Sequence, residues 1–164
     1  MSDLPRGLKI ATVWLLIGVG LFLAVQAFQA QQQRARFQIE GTQLRIARAS
    51  DGHYHWPATL NGHAVDFLID TGATTSALPE ALARQLDLPI EGRVASQTAG
   101  GPVSGTVVRA HLALQGGVRV ERMRIVALPA LASPLLGMDV LGKLNWRQSG
   151  GELIIDMARS SPSD

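Results

Sequence analysis

The chain has 164 residues, of which 46% are hydrophobic and 17% charged, with no cysteine and a formal charge of +2. That length accommodates one domain with a real core plus an extra segment, and the lack of cysteine excludes disulfides, thiol nucleophiles and thiolate metal sites. Arg6, Lys9, Arg34 and Arg36 flank the first apolar run, and the rest is near neutral with no basic patch interleaved with aromatics, so nucleic acid is not an expected partner.

Residues 1–9 form a short head. From Ile10 to Val25 the chain reads IATVWLLIGVGLFLAV, uncharged and with one hydroxyl, Thr12; extended to Phe28 the run is 19 residues. Roughly 20 apolar residues span a bilayer as a helix, whereas a signal peptide usually carries an apolar core of about 7–15. Residues 10–28 are therefore expected to be a transmembrane anchor in contact with the lipid bilayer; a signal cleaved after Ala27 is the alternative. Arg6 and Lys9 favour a cytoplasmic N-terminus, which places the following domain on the extracytoplasmic, periplasmic side. Residues 29–42 are polar and Gln-rich and read as a tether, residues 43–156 as the domain, and residues 157–164 as a disordered tail.

Leu44 and Ile46 alternate with polar neighbours, as in a half-buried strand. Asn61-Gly62 is a strong hairpin signal between two strand-like runs, the second of which ends at Asp70. Residues 79–86 place Ala81, Leu82 and Leu86 at helical spacing behind Pro79. Two strands surround Gly100-Gly101, and Gly116-Gly117 turns the chain again. The apolar phase then slips between Val120 and Met123, which predicts a β-bulge. Residues 137–144 predict a short helix, and Gly150-Gly151 a closing hairpin. Many short strands with glycine turns and two brief helices predict a small β-barrel or sandwich.

Asp70 is the residue that needs explaining, because a strand delivers a carboxylate into apolar surroundings. An aspartyl-phosphate phosphatase needs a second Asp two residues on, where Gly72 stands. An ion-pumping ATPase needs Lys next, where Thr71 stands. The triplet Asp70-Thr71-Gly72 fits an aspartic protease. Two carboxylates sharing a proton can hold a water between them, one as base and one as acid. Thr71 can tie two active-site loops together by its hydroxyl, and Gly72 lets backbone approach the carboxylates. The bland alternative is a turn acid capping the 79–86 helix region or its preceding loop.

The chain resembles the retropepsin-like aspartic proteases, most closely bacterial single-pass membrane members. The resemblance rests on residues 52–62 (GHYHWPATLNG), 67–79 (FLIDTGATTSALP), 97–105 (QTAGGPVSG) and 134–144 (PLLGMDVLGKL). It implies a small closed β-barrel with one or two short helices, and endopeptidase activity without a cofactor. It implies Asp70 as catalytic acid with Thr71 and Gly72, a flap around Thr98, Ala99, Gly100 and Gly101, and substrate contacts from Ala73 and Thr74. Leu131 to Pro134 would wall the substrate pockets. Leu135, Leu136, Gly137 and Asp139 would support the active-site loop from behind. Two departures stand out: Thr74 and Thr75 occupy positions where retroviral enzymes often carry acids, and Met138 replaces the family's Arg.

Only one Asp-Thr-Gly is present, so a dyad requires a homodimer acting on a polypeptide substrate. By resemblance, residues 152–156 (ELIID) would join an inter-subunit sheet. Ala73 offers no hydroxyl to the carboxylate, where many monomeric aspartic proteases have Ser or Thr. That predicts a less acidic dyad and activity at milder pH than a stomach-type enzyme. A catalytically silent dimerisation or peptide-binding module at the membrane, and an enzyme restricted to self-processing, are the competing functions.

Residues 137–143 fit Gly-x4-Gly-Lys, but Leu144 replaces the Ser or Thr of a phosphate loop. His53, His55 and His63 lie close in sequence without a supporting metal motif, so no metal is expected. Trp56 and Trp146 read as core or interface packing, and Asp66 and Arg109 as solvated strand charges.

Overall fold

The computed structural model describes residues 6–35, 37–98 and 101–157. Two compact units emerge, Met1–Phe37 and Gln38–Asp164.

The first unit is α1 (Arg6–Ala35), a 30-residue helix. Its side chains from Ile10 to Gln26 are exposed. Among the described residues, no helix is long and apolar enough to cross a membrane; the 19-residue run seen in the sequence extends two positions past the last of these side chains. The segment read as a tether differs from expectation. Residues 29–35 continue α1, and 37–40 form a strand. Gln, Ala and Arg are good helix formers, and extending a nucleated helix is far easier than starting one.

The second unit holds β1 (Phe37–Glu40) from its second residue, β2 (Gln43–Ala47), β3 (His55–Leu60), β4 (His63–Ile69), β5 (Ala77–Pro79), α2 (Glu80–Gln85), β6 (Ile90–Thr98), β7 (Gly101–Leu114), β8 (Arg119–Leu128), β9 (Leu135–Leu136), α3 (Met138–Leu141), β10 (Asn145–Ser149) and β11 (Glu152–Asp156). The large sheet runs β3-β4-β9-β5-β8-β7-β6, and β3 also pairs with β7. That extra pairing, Ala58–Leu60 against Leu112–Leu114, closes six strands into a barrel. β6 pairs with the first half of the 14-residue β7 and extends beyond the ring as a hairpin.

Local chemistry sets these turns. Asn61 and Gly62 both have positive φ, the requirement of a two-residue type I′ hairpin. Pro79 ends β5 and precedes the first turn of α2, so the helix begins one residue later than the spacing predicts. The phase slip is a bulge: Ala110 pairs with Met123 but Leu112 with Val120, and Arg122 has φ +49. The extra residue in β8 keeps Val120 and Met123 facing inward. Trp56, Phe67, Leu60, Leu78, Ile125 and Leu136 fill the barrel with essentially no exposure, and the Trp56 indole donates to the Gln115 carbonyl at 2.8 Å.

A separate four-stranded sheet runs β1-β2-β11-β10. β11, which by resemblance would join an inter-subunit sheet, pairs within the chain with β2 on one side and β10 on the other. Both of its hydrogen-bonding edges are used within the chain. Leu153, Ile154 and Ile155 are all buried, because a central strand covered on both faces reads as a continuous apolar run.

Candidate active site

Asp70 stands immediately after β4, where β9 intervenes between β4 and β5. β9 runs parallel to β4, with Leu68 beside Leu135 and Ile69 beside Leu136, and antiparallel to β5 at Ala77. The chain therefore leaves the sheet at Asp70, loops over β9 and returns at Ala77. The loop is tied from both ends. Leu68 N–H donates to Pro134 O at 2.9 Å, and Asp70 N–H to Leu136 O at 3.0 Å. Ala73 N–H donates to Asp70 O, and Ala73 O accepts from Met138 N–H at 2.8 Å. Asp70 Oδ1 accepts from Gly72 N–H at 2.9 Å. The carboxylate thus caps its own loop, the loop that precedes the 79–86 helix region, as the bland alternative also allows.

Gly137 lies directly beneath this loop. A Cβ there would come within 2.7 Å of the Thr75 carbonyl carbon and 2.9 Å of Ala73 O. The close approach requires glycine on packing grounds. Beside it is Ser76, the one buried polar residue among those described, with no exposure. Its hydroxyl donates to Asp139 Oδ1 at 2.7 Å and accepts from Gly137 N–H at 2.9 Å. Its N–H is held 3.1 Å from both oxygens of Asp139. Asp139 also accepts from Val140 N–H at the start of α3. A buried serine and a part-buried carboxylate therefore satisfy one another while joining the Asp70 loop to α3. Ser76 was not singled out in the sequence. Its signal was a small polar residue between the Asp-Thr-Gly loop and the apolar β5.

Above the loop lies a cavity of about 800 Å³. Asp70, Gly72, Ala73 and Thr74 form its floor, with Thr75 added to the residues expected there. Val94 to Gln97 of β6 line the opposite side, and Val126, Leu128, Leu131 and Leu135 form apolar walls. Leu135 thus borders the cavity as well as the loop's underside. Pro134 is not among the lining residues; its carbonyl is engaged by β4. Gly101 lies outside the lining and starts β7 with φ +106. Of the expected flap, Ala99, Gly100 and the Thr98 side chain lie outside the described residues. Thr71 is exposed at the crest of the loop.

Charges gather away from this cavity. His55 is held by Asp51 at 2.8 Å and by Asp66 at 3.2 Å. The Asp51 carboxyl is held below the usual carboxylate range, first by the backbone N–H of His53 and then by the His55 ring. Among the described residues, no group of three His, Cys, Asp or Glu is arranged to hold a metal. Asp66 and Arg109 are paired, not merely solvated. Arg109 makes a two-pronged pair with Glu91 at the root of the β6–β7 hairpin, with one contact of 2.7 Å. Hydrogen bonding to Arg109 lowers the Glu91 pKa, and Glu91 raises that of Arg109.

Residues 56–143 match the family described as "gag-polyprotein putative aspartyl protease". A retropepsin-like aspartic protease from Rickettsia conorii has a similar structure, with a TM-score of 0.56 at 23% identity over 73% of this chain and 92% of its own. EIAV protease complexed with the inhibitor HBY-793 matches with a TM-score of 0.52 at 20% identity, over 60% of this chain and 93% of its own. No curated protein matches significantly. At these identities the two structures speak for the fold, and the family match covers more than half of the chain. The chain belongs to the retropepsin-like aspartic protease family.

Proposed function

We propose that the protein is an aspartic endopeptidase that hydrolyses peptide bonds with a water held between the Asp70 carboxylates of two copies. The observation that carries this reading is the placement of Asp70: a half-buried carboxylate on the floor of an apolar-walled cavity, on a loop pinned from behind by backbone bonds. One carboxylate takes a proton from the water as it attacks the scissile carbonyl. The other, protonated, donates its proton to the carbonyl oxygen; on collapse of the diol the first gives the proton it took to the leaving amine, and the second takes a hydroxyl proton back. Like charges at that separation cannot both ionise, so the pair shares one proton. Thr71, exposed at the loop crest, is available to the second copy. Val126, Leu128 and Leu131 favour apolar side chains on either side of the cleaved bond. Since Ala73 lends no hydroxyl to the carboxylate, cleavage is expected to peak at milder pH than in stomach-type enzymes; an optimum below about 3 would count against this account.

Attachment to the bilayer through residues 10–28, with the N-terminus cytoplasmic and the protease domain outside, rests on the uncharged run and its basic flank. It would confine two copies to one plane and raise their effective concentration.

The deciding experiment is cleavage of an unfolded protein substrate by the full chain between pH 3.5 and 7, beside Asp70→Asn. The expected loss in the variant is at least about 100-fold, the scale of removing a general acid–base group, with the fold retained. Equal cleavage by both would remove the protease reading, and dimers without cleavage in either would favour the binding module.

A further inference from the structure

We propose that Arg124 selects the substrate by binding an Asp or Glu side chain about four residues from the cleaved bond. This rests on the aspartic endopeptidase reading and deepens it, since it names a substrate class: chains that carry an acid at that distance. The strand registers place Arg124. Leu68 of β4, Leu135 of β9, Ala77 of β5 and Val126 of β8 stand side by side in one row across the sheet. Ala77, Val126 and Leu135 of this row line the cavity. β4 and β9 are parallel, β9 and β5 antiparallel, and β5 and β8 parallel, so β8 runs opposite to β4. Two residues past Leu68 is Asp70, and two residues before Val126 is Arg124. The acid and the guanidinium therefore stand level with each other on the sheet.

Alternation fixes the face. Ile125 has no exposure and points into the barrel, so Arg124 and Val126 on either side of it share the opposite face. The β7–β8 ladder is regular here, with Val107 beside Val126 and Arg109 beside Arg124, and the bulge falls beyond Ala110. Arg124 is exposed and stands one step past the Val126 wall, outside the lining itself. β8 is three strands from β4 in the sheet, about 14 Å at ordinary strand spacing. The cavity runs the same way, from Asp70 to Val126. An extended peptide covers about 14 Å in roughly four residues. A chain lying along the cavity with its cleaved bond at Asp70 thus brings a side chain to Arg124.

The local charge balance leaves this guanidinium unmatched. Glu91 gives both carboxylate oxygens to Arg109. Hydrogen bonding to Arg109 lowers the Glu91 pKa most, and the charges of Arg109, Arg124 and Arg122 add to that effect. Three arginines thus gather about one glutamate. Among the described residues, Arg122 and Arg124 have no carboxylate at ion-pair distance. Arg109 and Arg124 are also direct cross-strand neighbours, and like charges so placed cost stability. Folding alone therefore gives no reason for an arginine at this position.

The Asp70 loop supplies no acid on this side. Val126 N–H donates to Ser76 O at 3.1 Å, so the next loop residue toward Arg124 is Thr75. Thr74 and Thr75 are both exposed and both uncharged. A carboxylate at either position would have competed for the guanidinium; with threonines there, the acid must come with the bound chain. A guanidinium suits that role, since it can grip a carboxylate with two parallel hydrogen bonds. In the two-copy enzyme, two-fold symmetry sets one Arg124 on each side of the cleaved bond. An acid on either flank would then be recognised.

The test is the cleavage profile of the full chain in detergent micelles on a mixture of unfolded proteins, with the cut sites read by mass spectrometry. The pH is held near about 6, where free carboxylates are ionised. Asp and Glu are expected to be enriched roughly 3–10-fold at about three to five positions from the cut, the scale of a partly exposed charged pair. Arg124→Gln should lose this enrichment, Arg124→Lys should keep part of it, and Arg124→Glu should exchange it for Lys and Arg. Arg119→Gln, which removes an equal charge from the start of the same strand, should leave the profile as it is. Because the repulsion with Arg109 is relieved, Arg124→Gln should not lower Tm. A wild-type profile without acidic enrichment, or enrichment that survives Arg124→Gln, would overturn the proposal and leave the protease reading standing. A second readout does not need cleavage: binding to Asp70→Asn of two peptides with apolar centres that differ only in Glu or Gln at the fourth position on each side. Tighter binding of the Glu peptide, lost in Asp70→Asn/Arg124→Gln, with no cleavage by the wild type, would keep the inference and remove the protease reading. Equal binding of the two peptides without cleavage would remove both.

Discussion

The Asp70 loop and the β6–β7 hairpin face each other across one cavity and are held by opposite means. The loop is bound from below by Leu136, Gly137, Met138 and Asp139 and anchored on the fully buried Ser76. Between Glu91 and Gln97 the first strand of the hairpin has no buried residue and depends on its ladder with β7 and the Glu91–Arg109 pair at its root. Low local burial marks segments that open at small free-energy cost. A fixed floor and a yielding roof suit an enzyme that must keep its acid in place and still admit a chain.

The contrast is broken most severely by Gly137→Ala. The added methyl meets backbone on the loop's underside. The expected cost is about 1–3 kcal/mol of stability, as for overpacking, with roughly 100-fold lower cleavage from a displaced Asp70; urea unfolding and kcat/KM would show both. Ser76→Ala comes next. It leaves Asp139 and Gly137 N–H short of a partner, at an expected cost of about 1–3 kcal/mol in the same unfolding experiment. If it cost nothing, the floor would not depend on this link.

Gln97→Ala probes the roof. Gln97 lines the cavity and is exposed, so stability should change by no more than about 0.5 kcal/mol. If its amide binds the substrate backbone, losing that bond should raise KM by roughly 3–10-fold with kcat nearly unchanged. An unfolding shift as large as that of Ser76→Ala would erase the distinction between floor and roof.

Glu91→Gln gives the smallest expected effect. The folded-state pKa of Glu91 is lowered by Arg109. Its contribution is therefore complete above the ordinary carboxylate value, about 4.3, and is lost as pH falls through the lower folded value. The wild type should lose more Tm than the variant as pH drops below about 4. Parallel Tm curves would show that the pair contributes nothing to the hairpin.

Much of the site was legible in the sequence because its information is contiguous. Asp70-Thr71-Gly72 follows an apolar strand without interruption, and the Leu135-Leu136-Gly137 support is equally compact. The glycine turns and the bulge were legible for a similar reason: each is fixed by the φ or the side-chain phase of a few neighbouring residues. The bond from Ser76 to Asp139 was not, since it spans 63 positions and neither residue signals the other. Nor was the continuation of α1 through residues 29–35, where polar composition suggested a tether but good helix formers extended an existing helix.

By itself, the sequence determined a mainly β domain with its acid at a strand end, because periodicity, turn chemistry and a three-residue motif are local properties of the chain. Whether those strands made a barrel or a sandwich was left to tertiary structure: the short pairing of β3 with β7 closes the ring. Tertiary structure alone also decided that β11 is interior and that β1 and β10 are the outer strands of their sheet. The physical reason is that a strand's side-chain pattern records which faces are buried, whereas its backbone donors and acceptors are the same in every strand and do not record which neighbour will satisfy them.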